Sequence, residues 1–201
     1  MKLYYAPLAC SLADHIALLE AGIPFARERV DLKTKLTASG QHLADISGKG
    51  YVPTLVLDDG QVLTENIAVL DWIAAGHPQL GLDGPLGRTR LIEALTFVST
   101  EIHGAFKPFW HQAGQAEKTR SSNTIARHFS YFAERMQGKY LFGTRPSVVD
   151  FYLFVMLLWA RRFGVPVPAA LDRLCDRIAD RPAARLAMAQ EGLLEMQRAD
   201  A

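Results

Sequence analysis

Two stretches set chemistry-bearing residues at the ends of short strands. In Lys2-Leu3-Tyr4-Tyr5-Ala6-Pro7-Leu8-Ala9-Cys10-Ser11, a tyrosine-tipped strand runs into a cysteine that opens a helix. Further along, Tyr51-Val52-Pro53-Thr54-Leu55-Val56-Leu57-Asp58-Asp59-Gly60 puts a valine-proline pair ahead of another strand, and the stretch closes on Leu63-Thr64-Glu65-Asn66. Unpaired backbone N–H groups and the positive end of the helix dipole favour an anion at a helix start. A thiolate is such an anion, and helix starts are where lowered cysteine pKa values occur. The pattern therefore points to thiol chemistry, or to binding of a thiol ligand, with Cys10 expected to be partly ionised at neutral pH. Pro7 and Ala9 hold Cys10 in a turn, and Asp14 puts a carboxylate near the first helical turn. Cys175 differs: its spacing from Leu171 and Ile178 sets it on an apolar helical face, as a small buried hydrophobe. Ala13 stands where a dithiol motif would carry its second cysteine, which argues against a two-cysteine disulfide oxidoreductase.

The elements that would position these residues fall into two classes. Strands are expected at Lys2–Tyr5, Phe25–Val30, Thr54–Leu57 and Gln61–Leu63, the last two joined through the hairpin signal Asp58-Asp59-Gly60. Helices are expected at Ser11–Ala21 and Glu65–Ala75, with one short turn near Leu43–Ser47. That order describes a small α/β domain with a mixed four-stranded sheet over residues 1–77. Residues 78–87 are dense in Gly and Pro, the composition of a linker. From 88 to 201 only helices are expected, at 88–111, 119–137, 147–163, 169–180 and 183–190. Ser147 and Asp150 match a capping box ahead of the apolar run Phe151–Leu158.

Composition narrows the function classes. The chain carries 22 basic and 21 acidic residues, well mixed, and shows no basic stripe of the kind a nucleic-acid binder uses. Its 49% hydrophobic content is ample for two cores, yet no run is long enough to span a membrane. Asp14 and His15 interrupt any signal-peptide core near the start, and two distant cysteines make no disulfide framework. The chain reads as cytoplasmic, without a metal site.

These residues, in this order, resemble the glutathione transferase family, in particular its bacterial beta class. The resemblance is carried by Met1–Pro7 with Ala9-Cys10-Ser11-Leu12, by Val30-Asp31-Leu32, by Lys49-Gly50-Tyr51-Val52-Pro53, by Leu63-Thr64-Glu65 and by Pro146-Ser147-Val148-Val149-Asp150. It implies a thioredoxin-like N-terminal domain, a C-terminal helical bundle and a homodimer, with glutathione as co-substrate and no other cofactor. Pro53 then matches a cis-proline that exposes the Val52 backbone to glutathione, and Tyr51 packs beside that backbone. Glu65 and Asn66 match the pair receiving the γ-glutamyl end. Lys35, with Lys49 as a second possibility, faces the glycyl carboxylate. Cys10 and Ser11 lie where the ligand sulfur arrives, Ala9 is a further glutathione-binding position, and His103 matches an active-site histidine. Phe106, Trp110 and Trp159 would wall a pocket for a small hydrophobic electrophile. Gly104 and Thr96 depart from the family pattern, which usually has Lys and often Asn there; Lys107 is one turn away. The implied reaction is conjugation of glutathione thiolate to an electrophile. Two alternatives remain open at this point: thiol-disulfide exchange or dehalogenation through a Cys10 mixed disulfide, and a non-catalytic glutathione-binding module.

Overall fold

The computed structural model of the chain describes residues 1–194. It divides into two compact units, Met1–His77 together with the chain from Asp180 onward, and Pro78–Ala179.

The first unit contains β1 (Lys2–Tyr5), α1 (Ser11–Glu20), β2 (Ala26–Arg29), α2 (Leu43–Ser47), β3 (Thr54–Val56), β4 (Val62–Thr64) and α3 (Asn66–Gly76). The sheet order is β2-β1-β3-β4, with β1 and β2 parallel and the other pairs antiparallel, a mixed thioredoxin-like arrangement. Leu3, Tyr4 and Tyr5 of the inner strand β1 are buried, whereas β2 at the edge shows only Glu28 partly covered. The strand expected at Phe25–Val30 forms over Ala26–Arg29, with Phe25 partly covered and Val30 buried at its two ends. An edge strand is free to carry charge on both faces, and charge there discourages pairing with another chain. Glu28 accepts from Lys2 Nζ (2.9 Å) and from the N–H (3.0 Å) and hydroxyl (2.6 Å) of Ser39. These bonds, the Ser39 hydroxyl foremost, hold its carboxyl down to about 2.

Helix α1 buries Leu12, Ala13, Ile16, Ala17 and Leu18 and packs on α3 and on α9 (Pro182–Gln190). The expected domain range 88–201 keeps that last helix with the helical bundle by chain order; in space it joins the first unit. Ala184, Ala187 and Met188 are its buried face, and Arg181 grips Glu20 of α1 through two bonds of 2.5 and 2.8 Å. Residues 195–201 of that range lie outside the described residues.

The second unit is helical: α4 (Gly87–Phe97), α5 (Lys107–Trp110), α6 (Gln115–Arg135), α7 (Val148–Phe163) and α8 (Ala169–Ala179). The helix expected over 88–111 changes pitch along its length, through a π-helical stretch Val98–His103 and a 3₁₀ turn Gly104–Phe106. Pro108 lacks an N–H and cannot continue an α-helical ladder, and the 3₁₀ turn ends two residues before it. Helix α6 starts before the expected 119 because Gln115, Glu117 and Lys118 are good helix formers without an apolar period. The Gly- and Pro-rich linker keeps one 3₁₀ turn, Pro78–Leu80, and Arg145 bonds to Pro78 O (3.1 Å) and Asp83 (2.7 Å). No helix among the described residues is long and apolar enough to cross a membrane.

The capping box forms as the sequence suggests. Asp150 Oδ2 accepts the Ser147 N–H and hydroxyl, both at 2.8 Å, while Oδ1 accepts the Leu141 N–H at 2.8 Å. The side chain is fully buried, so removing it strands three donors without water. Asp150→Ala should cost about 3 kcal/mol or more of unfolding free energy in urea titrations; a loss below ~1 kcal/mol would show that the capping box contributes little here.

Candidate active site

The structure gathers Ala9, Cys10, Ser11, Lys35, Tyr51, Val52, Pro53, Glu65 and Asn66 in the first unit, and His103, Phe106, Trp110 and Trp159 in the second. In the first unit the β1–α1 turn begins with Ala9 N–H bonded to Ala6 O (3.1 Å) and passes through Leu8 at φ 57°. Cys10 is the N-cap residue of α1, but its side chain makes no capping bond. Its Sγ lies 3.8 Å from Val52 O, which accepts from the thiol. The Val52–Pro53 bond is cis, as the resemblance implies. Among the described residues no hydrogen-bond acceptor pairs with the Val52 N–H, which leaves backbone available to an extended peptide.

Electrostatics at Cys10 run against the expectation of a thiolate. Burial, then the nearby Asp14 carboxylate, push the thiol up to about 12; the N–H groups of Ser11 and Cys10 pull only weakly the other way. A helix terminus contributes about 0.3–1 kcal/mol, less than the ~1.4 kcal/mol that one pKa unit represents. Desolvation outweighs the helix terminus and raises the thiol, although by surface area the residue is only half-buried. Cys175, fully buried as anticipated, is also raised to about 12 by burial.

Ser11 and Asn66 take different roles from those first assigned. Ser11 is fully buried, and its oxygen accepts the Ala6 N–H at 3.3 Å and approaches Ala6 O at 3.5 Å. Its hydroxyl closes the turn and does not face an arriving sulfur. Asn66, also buried, faces two oxygens, the Cys10 carbonyl and Asp14 Oδ2; with its amide nitrogen assigned to that side it donates to both, at 3.2 and 2.7 Å, and joins the start of α3 to the start of α1. Asp14 is fully buried, and Oδ1 has no partner among the described residues; burial drives its carboxyl well above the ordinary range.

Glu65 stands at the start of α3. It is the N-cap of α3 at φ 70°, a left-handed conformation rare for a residue with a side chain. Lys49 Nζ (2.6 Å) and Tyr51 OH (2.5 Å) both donate to Oε1 and hold the carboxyl below its ordinary value, Lys49 more strongly. Lys49 is thereby engaged with Glu65. Lys35, at φ 61°, has no ion-pair partner among the described residues, which favours it over Lys49 as the cation for a carboxylate.

In the second unit His103 ends the π-helical stretch, a local geometry frequent at functional sites. Its Nδ1 is 2.7 Å from Tyr152 OH, and the ring lies edge-on to Trp159 at 4.9 Å. Burial first, and Lys107 second, push the ring down to about 4, so it is neutral at pH 7. Where the tyrosine hydroxyl donates, the imidazole proton sits on Nε2 and His103 is a neutral donor. Trp159 also meets Phe106 (5.4 Å) and Trp110 (5.1 Å), and Phe163 stacks on Phe109 (5.1 Å). Phe106 is fully buried and backs this cluster without lining a pocket, whereas Trp110 remains 41% exposed. A separate cavity of about 560 Å³ lies between α4 and α6, lined in part by Arg90, Thr96, Phe97, Tyr131 and Arg135; none of the three anticipated aromatics borders it.

Two sets of residues went unremarked in the sequence. Tyr152 lies inside an apolar run and carries no signal of its own. His15, Gln190 and Glu191 form a buried polar cluster described below; a histidine between Asp14 and Ile16 gives no hint of a partner more than a hundred residues away.

Comparison with known proteins gives one consistent result. The family profile "Glutathione S-transferase, N-terminal domain" matches residues 9–75, and "Glutathione S-transferase, C-terminal domain" matches residues 93–182. The chain is 34% identical over 200 residues to glutathione S-transferase GstA of Escherichia coli O157:H7, covering 96% of this chain and 100% of that one. A sphingomonad glutathione S-transferase solved in complex with glutathione superposes at TM-score 0.87 with 37% identity, over 96% and 100% of the two chains. A bacterial beta class enzyme from Sphingomonas chungbukensis gives 0.88 and 40%, with the same coverage.

Because its raised pKa keeps Cys10 protonated, iodoacetamide should alkylate it in the ligand-free protein no faster than a cysteine in a model peptide at pH 7.5. The rate should still be rising at pH 10. A rate that levels off below pH 8 would contradict this electrostatic assignment.

Proposed function

The chain belongs to the glutathione S-transferase family and is an enzyme of that class, and from this premise we propose that it conjugates glutathione thiolate to a small apolar electrophile. The observation that carries this reading is the pairing, in one unit, of an ionised Glu65 at the start of α3 with Val52, whose N–H is unpaired among the described residues and whose carbonyl oxygen lies 3.8 Å from the Cys10 sulfur. An ammonium acceptor, a peptide edge and a sulfur position together fit γ-glutamyl-cysteinyl-glycine.

In this reading Glu65 accepts the γ-glutamyl ammonium, and the Val52 N–H and C=O pair with the cysteinyl backbone as an added strand. Tyr51 flanks that backbone, and Lys35 meets the glycyl carboxylate. A free thiol of pKa about 8.5 is only ~3% ionised at pH 7, and lowering that value by two units requires ~2.7 kcal/mol of preference for the thiolate. The N–H groups opening α1 and a hydrogen bond from the Cys10 thiol supply part of it. Within the helical unit, His103 is a neutral donor beside the apolar cluster of Trp110 and Trp159, the residues that the family resemblance gives to the second substrate. The remainder is proximity. No resident cofactor enters this scheme.

The mixed-disulfide alternative is disfavoured by the protonated state of Cys10, since a thiol attacks a disulfide only as its thiolate. A non-catalytic role is disfavoured by the enzymes the chain resembles. We assign the protein to the beta class and to the cytoplasm. We also propose a homodimer, in which one subunit's first unit covers the partner's helical unit. Exposed Leu86, Ile92 and Tyr131 on or beside α4 and α6 support it.

Two measurements test this reading. Purified protein should conjugate a chlorodinitrobenzene-type electrophile, and Glu65→Ala should weaken glutathione binding about tenfold or more with little loss of stability, the effect of removing a charge-assisted contact. Affinity unchanged within about twofold would mean that the ligand lies elsewhere. Sedimentation at micromolar concentration should give twice the 22.3 kDa chain mass; a single species of chain mass would exclude the dimer.

A further inference from the structure

Beneath the turn that carries Cys10 lies a cluster of buried polar side chains that the scheme above does not use. His15 of α1 is fully buried, with Nδ1 3.0 Å from Glu191 Oε1 and Nε2 2.8 Å from Gln190 Oε1. Both neighbours present oxygen. The remaining oxygen, Glu191 Oε2, accepts the Leu8 N–H at 3.1 Å. Leu8 stands at φ 57°, a left-handed conformation that a residue with a Cβ rarely adopts.

The other groups facing the cluster are few. Asp14 and Arg27 lie within electrostatic range of Glu191, the first raising and the second lowering charge repulsion there. The rings of Tyr5 (5.7 Å) and Phe25 (5.6 Å) enclose His15, and Tyr5 OH approaches Gln190 O at 3.5 Å. Arg181 and Glu20 anchor the same helix α9 to α1.

We propose that Glu191 is a positioning residue for the conjugation reaction: braced against His15, its carboxylate holds Leu8 in the left-handed conformation and so sets where Ala9 and Cys10 meet the glutathione sulfur. The proposal rests on the glutathione transferase reading of the site. The geometry requires reach. One side chain must touch both Leu8 N–H and His15 Nδ1, and a glutamine of the same length can do both, its oxygen accepting from Leu8 and its amide donating to a neutral ring. An aspartate keeps the charge but is one methylene short of spanning the two.

The test compares Glu191→Gln with Glu191→Asp, and Arg181→Ala serves as a second α9 variant that leaves the turn alone. Glu191→Gln should keep kcat within about threefold of the parent. Glu191→Asp should lower kcat about tenfold while KM for glutathione, set by Val52 and Glu65, shifts less than about threefold, because a small displacement near the reacting atoms costs rate. With the turn released, alkylation of Cys10 by iodoacetamide should quicken about fivefold in Glu191→Asp. Arg181→Ala should lower Tm and leave both readings unchanged. Glu191→Asp indistinguishable from the parent, or Glu191→Gln as impaired as Glu191→Asp, would overturn the proposal, the latter by assigning the effect to charge. Should the parent fail to conjugate while Glu191→Asp still quickens alkylation, the functional reading fails and the positioning role stands.

Discussion

The first unit turns on a buried amide. Asn66, at the start of α3, meets the Cys10 carbonyl and one oxygen, Oδ2, of the Asp14 carboxyl at the start of α1. A buried polar group left unpaired costs about 1–3 kcal/mol, so each of the three holds the others in place. The consequence spreads outward. With Asn66 facing inward, Glu65 must turn its own side chain the other way, and it does so at φ 70°, toward Lys49 and Tyr51. The one residue of the pair that meets solvent is the ionised one.

The same burial that secures the scaffold decides the chemistry of Cys10. A thiol at a helix start is usually taken as activated, but the helix dipole is worth less than one pKa unit against the loss of hydration. Here the protein's own sulfur is kept protonated and donates to Val52 O. A protonated thiol beside an incoming glutathione thiolate is a hydrogen-bond donor and is not a competing nucleophile. That division of labour suits a transferase, in which the attacking sulfur is supplied by the substrate.

In the helical unit an analogous buried acid, Asp150, closes the start of α7 and fixes the preceding strand of loop through Leu141. Helix α7 then carries Tyr152 and Trp159 on rigid backbone, and these two side chains hold His103 by a hydrogen bond and a ring contact. The π-helical stretch brings His103 to them out of ordinary helical register. A histidine so enclosed stays neutral across the working pH range, which makes it a donor of constant strength.

Much of this was legible in the residues alone. Strand and helix order, the hairpin at Asp58-Asp59-Gly60, the capping box and the burial of Cys175 follow from local rules, because propensity, periodicity and capping act over a few neighbouring positions. Glu65 and Val52-Pro53 were legible only through the family resemblance, which reads them together as a pattern. What tertiary structure decided is of another kind. The state of Cys10, the inward turn of Ser11 and Asn66, the retreat of Phe106 into the core and the attachment of α9 to α1 through Glu191 and Arg181 all depend on burial and on partners distant in sequence. Desolvation is a property of the surrounding volume, and no spacing along the chain encodes which side chains will share it.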